Sequence, residues 1–306
     1  MRMIIIYINI KINKNNCMQK TIAFLLLIYP ILSGAETALC GKAQNTNRIA
    51  VAGGSVTEIL YALDLQHKII ALDTTSNYPL EAKTLPSIGY VRSLSTEGLL
   101  SLNPTLVLGE NDMGPPNVLT QLIRTGIEIR IINEKHTSAG IIEKIECVGG
   151  ILDEIEKSNY FVERTLNPQI SKLDSLATKN NQVNLKVMFI LNLQGGSPVV
   201  AGTGTSADGL IRMTGARNIM SAHQGWKQFS PESIVKAMPD AVIITQRALD
   251  SYGELEELYK HPVLSLTPAF RNQRVIVMDG MAMIGFGPRT ITSAVQIASA
   301  LNEIIN

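Results

Sequence analysis

Among the side chains able to do chemistry, Tyr90 and Arg92 stand two residues apart in Gly89-Tyr90-Val91-Arg92, between Pro86 and the Ser95 start of a short helix. A phenol becomes an anionic donor only where positive charge lies close, because its ordinary pKa is about 10. In an extended segment residues i and i+2 share a face, so the Arg92 guanidinium is expected beside the Tyr90 hydroxyl, placed to hydrogen-bond a phenolate. A loop tyrosine after a strand also sits where α/β proteins bind ligands. The other reactive residues are scattered. His67, His136, His223 and His261 share no short spacing, which argues against a zinc cluster. Gly202-Thr203-Gly204-Thr205-Ser206 lacks the third glycine of a dinucleotide loop. No Walker lysine motif, Gly-x-Ser-x-Gly elbow or His-Glu-x-x-His run occurs, so no catalytic constellation is expected. Met281 and Met283 read as core or cleft lining, and His223 with Trp226 as loop packing in the second half.

The elements that must carry these residues alternate. Arg48–Ala52, 69–72, 106–108 and 127–132 read as strands. Gly53-Gly54-Ser55 reads as a turn with a helix cap, followed by helices over 56–63, 96–102, 117–125 and 139–148. A second series has strands at 186–191, 241–244 and 274–278, with helices at 207–214, 231–237, 255–259 and 291–304. The fold class is α/β, with mostly parallel sheets covered on both faces. Between the series, 153–178 reads as one long helix that Asn167-Pro168 should kink or split. The expected division is an N-terminal lobe over 36–152, this linker, and a C-terminal lobe over 179–306. The halves also repeat each other. Ser95, Glu97, Pro104 and Val107 coincide with Ser230, Glu232, Pro239 and Val242 at one constant offset, each copy reading as cap, short helix, Pro stop and buried strand.

Length and composition agree with two lobes. The chain has 306 residues, 45% hydrophobic and 17% charged, which supplies ample core and gives no sign of disorder. Its formal charge is +1, but Arg2, Lys11, Lys14 and Lys20 lie in the first 35 residues with no acid, so the remainder is slightly negative. Without a basic run or a basic–aromatic stripe, nucleic acid is not an expected partner. Lys20, the apolar stretch Ile22 to Leu32 and the small residues Ser33-Gly34-Ala35 lay out a secretory signal peptide over 1–35, cleaved after Ala35. Met18 is an alternative start. The apolar run is too short to favour a membrane span, and Leu39 before Cys40 speaks against a lipoprotein site. In an oxidising compartment Cys40 and Cys147 can pair, or Cys147 can remain a buried thiol in its helix.

Taken together, the signal peptide, two α/β lobes, joining helix and paired glutamate motifs resemble the substrate-binding proteins of iron-chelate and vitamin B12 importers. Within them the sequence looks most like the periplasmic haem-binding proteins. The resemblance runs from Arg48 to Asn306. It is strongest at 85–100, Val200-Ala-Gly-Thr-Gly-Thr-Ser-Ala-Asp208 and Gly285-Phe-Gly-Pro-Arg-Thr290. It implies two Rossmann-like lobes bridged by a helix, a monomer in the periplasm, and no enzymatic activity. The implied ligand is haem, carried to an inner-membrane ABC permease with its ATPase. It further implies that Tyr90 is the axial ligand of the haem iron, since tyrosinate is an established donor to ferric haem, and that Arg92 supports it. Arg289, after Gly285-Phe-Gly-Pro, is expected either to meet a propionate at a helix N-terminus or to cap its own loop. Glu97 and Glu232 are expected to dock on permease arginines. Some members place a histidine over the haem from the second lobe, where this chain has Asn192-Leu193-Gln194-Gly195-Gly196, so a five-coordinate site is expected. A ferric siderophore or cobalamin is the alternative cargo, and an exported α/β enzyme the alternative of another class.

Overall fold

The computed structural model describes residues 40–193 and 198–305; residues 1–35, where a signal peptide is expected, and Gln194-Gly195-Gly196 lie outside the described residues. The first lobe is a four-stranded parallel sheet of order β2-β1-β5-β6, made of β1 (Ile49–Ala52), β2 (Ile69–Leu72), β5 (Leu106–Glu110) and β6 (Glu128–Ile132). Between β2 and β5 lies a small hairpin of β3 (Gly89–Tyr90) and β4 (Ser93–Leu94). Numbering helices of five residues or more, the lobe carries α1 (Gly54–Ala62), α2 (Thr96–Ser101), α3 (Pro116–Arg124) and α4 (Ser138–Ile151). Both faces of the sheet are buried: Ile49 and Val51 enter one core cluster, while Ala50 and Ala52 enter another. That two-sided burial is why these strands read as continuous apolar runs.

In the second lobe β7 (Lys186–Asn192), β11 (Ala241–Thr245) and β12 (Val275–Met278) are parallel neighbours. The antiparallel strands β8 (Val199–Ala201) and β10 (Trp226–Gln228) extend the sheet on the other side of β7, where β9 (Arg217–Asn218) also pairs. Its helices are α7 (Ser206–Met213), α8 (Pro231–Ala237), α9 (Gln246–Tyr252), α10 (Gly280–Ile284) and α11 (Pro288–Ile305).

The linker departs from a simple kink. Helix α5 (Ile155–Phe161) passes through a π-helical turn, Val162–Leu166, into α6 (Asn167–Val183) without leaving helical backbone. A wider turn just before Pro168 accommodates a ring that removes one backbone donor and crowds the preceding turn. Val162 and Leu166 belong to the first lobe's core, and Leu173 to the second. Asn180 of α6, fully buried, donates to Thr214 O at 2.9 Å and Ala298 O at 3.0 Å, fastening the linker to the second lobe. The chain's end crosses back as well: Phe286 and Ile291 lie in the first lobe's core, while Ala294, Ile297 and Leu301 lie in the second. A disulfide joins Cys40 to Cys147 on α4, 107 residues apart. Among the described residues no helix is long and apolar enough to cross a membrane.

Candidate functional site

The β3–β4 hairpin leaves Val91 and Arg92 as a two-residue turn. Gly89 has φ +90°, and a Cβ there would meet Ser93 O at 3.2 Å, so the turn into the hairpin requires glycine. Ile88, Val91 and Leu94 are buried and anchor the hairpin, while Tyr90 points outward with 43% of its surface exposed. Arg92 does not share an extended strand face with Tyr90, as its spacing suggests; it occupies the turn. Its side chain still folds back, and Nη1 donates to Tyr90 Oη at 3.1 Å. Asp112, on the loop after β5, accepts from Arg92 Nε at 2.8 Å and Nη2 at 2.7 Å through Oδ2. Sequence reading missed Asp112, which lies 20 residues beyond Arg92 on a different element.

The loop after β2 supports this hairpin. Asp73, buried, accepts from Gly53 N, Thr75 N, Thr75 Oγ1 and Ser76 Oγ at 2.6 to 2.9 Å. The fixed loop donates Thr74 N to Gly89 O at 2.8 Å and presents Tyr78, 45% exposed. Arg289, in the first turn of α11, lies 3.8 Å over the Tyr78 ring. Its Nη2 donates to Glu58 Oε1 at 2.6 Å and its Nη1 to Asp279 Oδ1 at 3.2 Å. Arg289 thereby clamps α1 of the first lobe to the cap of α10 in the second, a partner set that spacing alone does not reveal. Burial pushes the Glu58 carboxyl above its ordinary range against the pull of Arg289. Beside this clamp a cavity of about 430 Å³ opens at the C-terminal ends of β7 and β11. Asn77 comes to it from the first lobe, and Asn192, Thr245, Arg247, Asp279 and Met281 from the second. Arg247, exposed in the first turn of α9, was also missed. The strand end followed by Thr245-Gln246-Arg247 is the signal that could have found it, because ligands gather at strand C-terminal ends.

A second polar cluster lies at the start of α1. Ser55 is not the helix cap that its position suggests: the helix begins at Gly54, and the Gly53 cap makes no side-chain bond. The Ser55 hydroxyl is instead committed to the interior, donating to Glu110 Oε1 at 2.5 Å and accepting from buried Lys144 Nζ at 2.9 Å. Lys144 also donates to Glu134 Oε2 at 2.6 Å, and His136 Nε2 lies 3.1 Å from Glu134 Oε1. A Cβ at Gly53, where φ is +142°, would fall 2.5 Å from Glu110 Cδ, so the glycine makes room for that carboxyl. Burial drives Glu110 up to about 7, opposed by Lys144 and Ser55 and reinforced by Glu134 and Asp112. Burial also pushes Glu134 up, but the His136 and Lys144 contacts outweigh it and hold Glu134 below its ordinary range. His136 packs 4.8 Å from Phe286, tying this cluster to the segment that crosses between lobes.

Glu97 and Glu232 are both exposed in the first turns of α2 and α8. Ser95 and Ser230 cap those helices, accepting from Gly98 N at 3.1 Å and Ser233 N at 3.4 Å. Hydrogen bonds from its own backbone and from Ser230 hold the Glu232 carboxyl below its ordinary range. His223 stacks edge-on against Phe229 at 4.8 Å, and Trp226, half-buried, meets Phe189 at 6.0 Å.

Comparison with known proteins agrees with the resemblance read from the sequence. Residues 49–282 match the periplasmic binding protein family. The periplasmic haem-binding protein BhuT, in complex with two haems, superposes with TM-score 0.79 at 33% identity, over 85% of this chain and 99% of that one. The periplasmic haem-binding protein HutB of Vibrio cholerae superposes with TM-score 0.72 at 32% identity, over 83% and 98%. By sequence, the vitamin B12-binding protein of Pectobacterium atrosepticum is 25% identical over 262 residues, 84% of this chain and 89% of its own length.

Proposed function

The chain belongs to the periplasmic binding protein family, and on that premise we propose that it captures ferric haem in the periplasm and delivers it to an ABC permease with its ATPase. Tyr90 supplies the axial donor to iron. One observation carries the reading: an exposed phenol accepts a 3.1 Å hydrogen bond from an arginine that is itself held by a carboxylate. Ferric iron favours an anionic oxygen donor, and the cation beside Tyr90 stabilises the phenolate that forms on binding. Both the family and the fold are those of substrate-binding proteins rather than enzymes.

Tyr90 is the only protein ligand in this reading, giving a five-coordinate iron. Arg247, on the second lobe's side of the cavity, offers a cation to a propionate. Arg289 supports the ligand indirectly, by holding Tyr78 between the lobes. Glu97 and Glu232, exposed in matching helices, dock onto arginines of the permease halves, setting orientation and on-rate more than affinity.

A cobalamin reading is favoured by one finding, the name of the Pectobacterium relative. Titration of the purified protein with haemin and, separately, with cyanocobalamin decides between them. Haem binding predicts a Soret band with a high-spin ferric-tyrosinate spectrum that Tyr90→Phe abolishes while the fold survives. Tight cobalamin binding without a haem spectrum, or a haem spectrum unchanged in Tyr90→Phe, overturns the assignment.

A further inference from the structure

Arg92 is 62% exposed along its side chain, and a long exposed arginine loses much of its rotamer freedom when held in one pose. A lone hydrogen bond to Tyr90 at 3.1 Å is a weak tether for it. Asp112 changes that. Its Oδ2 takes both Nε and Nη2 at 2.8 and 2.7 Å, so the guanidinium is fixed in its plane and Nη1 is left pointing at Tyr90 Oη. The carboxylate is itself held in place. The loop that carries it is sewn to the hairpin by Gly114 N donating to Val91 O and Leu94 N donating to Gly114 O, both at 2.9 Å. Met113, next in sequence, is buried in the first lobe's core. Asp112 thus stands on the same rigid unit as Tyr90, while Arg92 spans the gap between them.

We propose that Asp112 is a positioning residue that aims Arg92 at the Tyr90 oxygen and so sets how firmly the cargo is held. This inference rests on the reading of Tyr90 as the iron donor. It goes beyond that reading in assigning a role to a residue on another loop, one that does not itself touch the ligand. As an exposed ion pair, Arg92–Asp112 contributes little to stability. Its weight lies in geometry, because a supporting group must hold a donor within a narrow range to be useful.

The test has a ligand-free arm and a haem arm. In ligand-free protein with ¹⁵N-labelled arginine, the Arg92 Nε–H resonance, identified by its loss in Arg92→Lys, is expected to be dispersed and protected from exchange. In Asp112→Ala it should collapse into the exposed arginine envelope; an unchanged resonance overturns the proposal. In the haem arm, transfer of ferric haem to apomyoglobin should be about tenfold faster for Asp112→Ala, with the tyrosinate charge-transfer band displaced as in Arg92→Ala. Asp112→Asn keeps one acceptor oxygen and should fall between. In the Arg92→Ala background Asp112→Ala should add nothing; additive effects, or no effect of Asp112→Ala alone, overturn the proposal. If Tyr90→Phe leaves the haem spectrum unchanged, it is the Tyr90 reading that fails, and the nitrogen resonance still decides the role of Asp112.

Discussion

In the first lobe Ser95 caps α2, Asn103 turns left-handed beyond its end at φ +45°, and buried Pro104 leads into β5. In the second, Ser230 caps α8, Met238 turns left-handed at φ +50°, and buried Pro239 leads into β11. The two units are the same device, but what surrounds them differs. Before the first comes a hairpin outside the main sheet that holds Tyr90 outward; before the second comes β10, which joins the sheet and packs Trp226 against Phe189. After the first, β5 ends in Glu110, locked to Ser55 beside Lys144; after the second, β11 ends in Thr245, which caps α9. The two lobes thus share this local scaffold and differ in the side chains placed around it. In the reading proposed above the donor Tyr90 and its partner Arg92 stand on the first lobe, beside the buried Glu110–Ser55–Lys144 cluster, whereas the second lobe lines the cavity and adds Arg247.

Each arm of this comparison can be tested, beginning with the largest effect. If the two units act together in docking, Glu97→Lys combined with Glu232→Lys should abolish haem-stimulated ATP hydrolysis and uptake in a reconstituted transporter while haem binding stays intact. Normal transport would reduce both glutamates to helix-start residues favoured by the dipole. Next, Tyr90→Phe should weaken haem binding by about a hundredfold, or ~3 kcal/mol, whereas Trp226→Phe should keep the spectrum and cost about 1 kcal/mol of stability. A haem spectrum lost in the Trp226 variant would place the ligand on the wrong lobe.

Buried Glu110 gives the first lobe an acid response of its own to test. Burial raises Glu110 from its ordinary 4.5 to about 7, so the folded protein binds more protons than the unfolded chain between those values. Stability should therefore fall as pH rises through that window, by up to about 3 kcal/mol from this group. Glu110→Gln should remove that slope and stabilise the protein at pH 8, as read by denaturant unfolding; an unchanged slope would assign it to other groups. Smaller still, Ser95→Ala should cost about 1 kcal/mol by loss of its cap. Ser230→Ala should cost less, because its contact is longer, 3.4 Å against 3.1 Å. Last, small-angle scattering should show almost no change in radius of gyration on loading, because both lobes share two helices; a contraction typical of hinge closure would contradict that.

How much of this was legible depended on distance along the chain. The strand–helix alternation, the repeated unit and the Tyr90–Arg92 pair are local patterns, and sequence spacing carried them. Two-residue strands such as β3 and β4 have too little periodicity to read, so Arg92 was expected on a strand face rather than in a turn. Ser55 looked like a cap because local chemistry favours one; Glu110 and Lys144, distant in sequence, claimed its hydroxyl instead. Arg289 was visible as a cation near a helix start, but its partner Glu58 lies 231 residues away. The Cys40–Cys147 disulfide spans 107 residues, and one sequence cannot show which such long-range contacts close.

In the importer proposed above, two helices threaded through both cores also bear on who does the work of unloading. A cargo held in a loose hinge escapes whenever thermal motion parts the jaws. Here the jaws share Phe286, Ile291 and the Glu58–Arg289 clamp, and drawing one buried phenylalanine into water alone costs about 2 kcal/mol. The gap between the lobes then keeps nearly one width, whether or not cargo sits in it. In that importer the permease must pry the lobes apart, so the timing of delivery belongs to the ATP-driven machine rather than to the carrier.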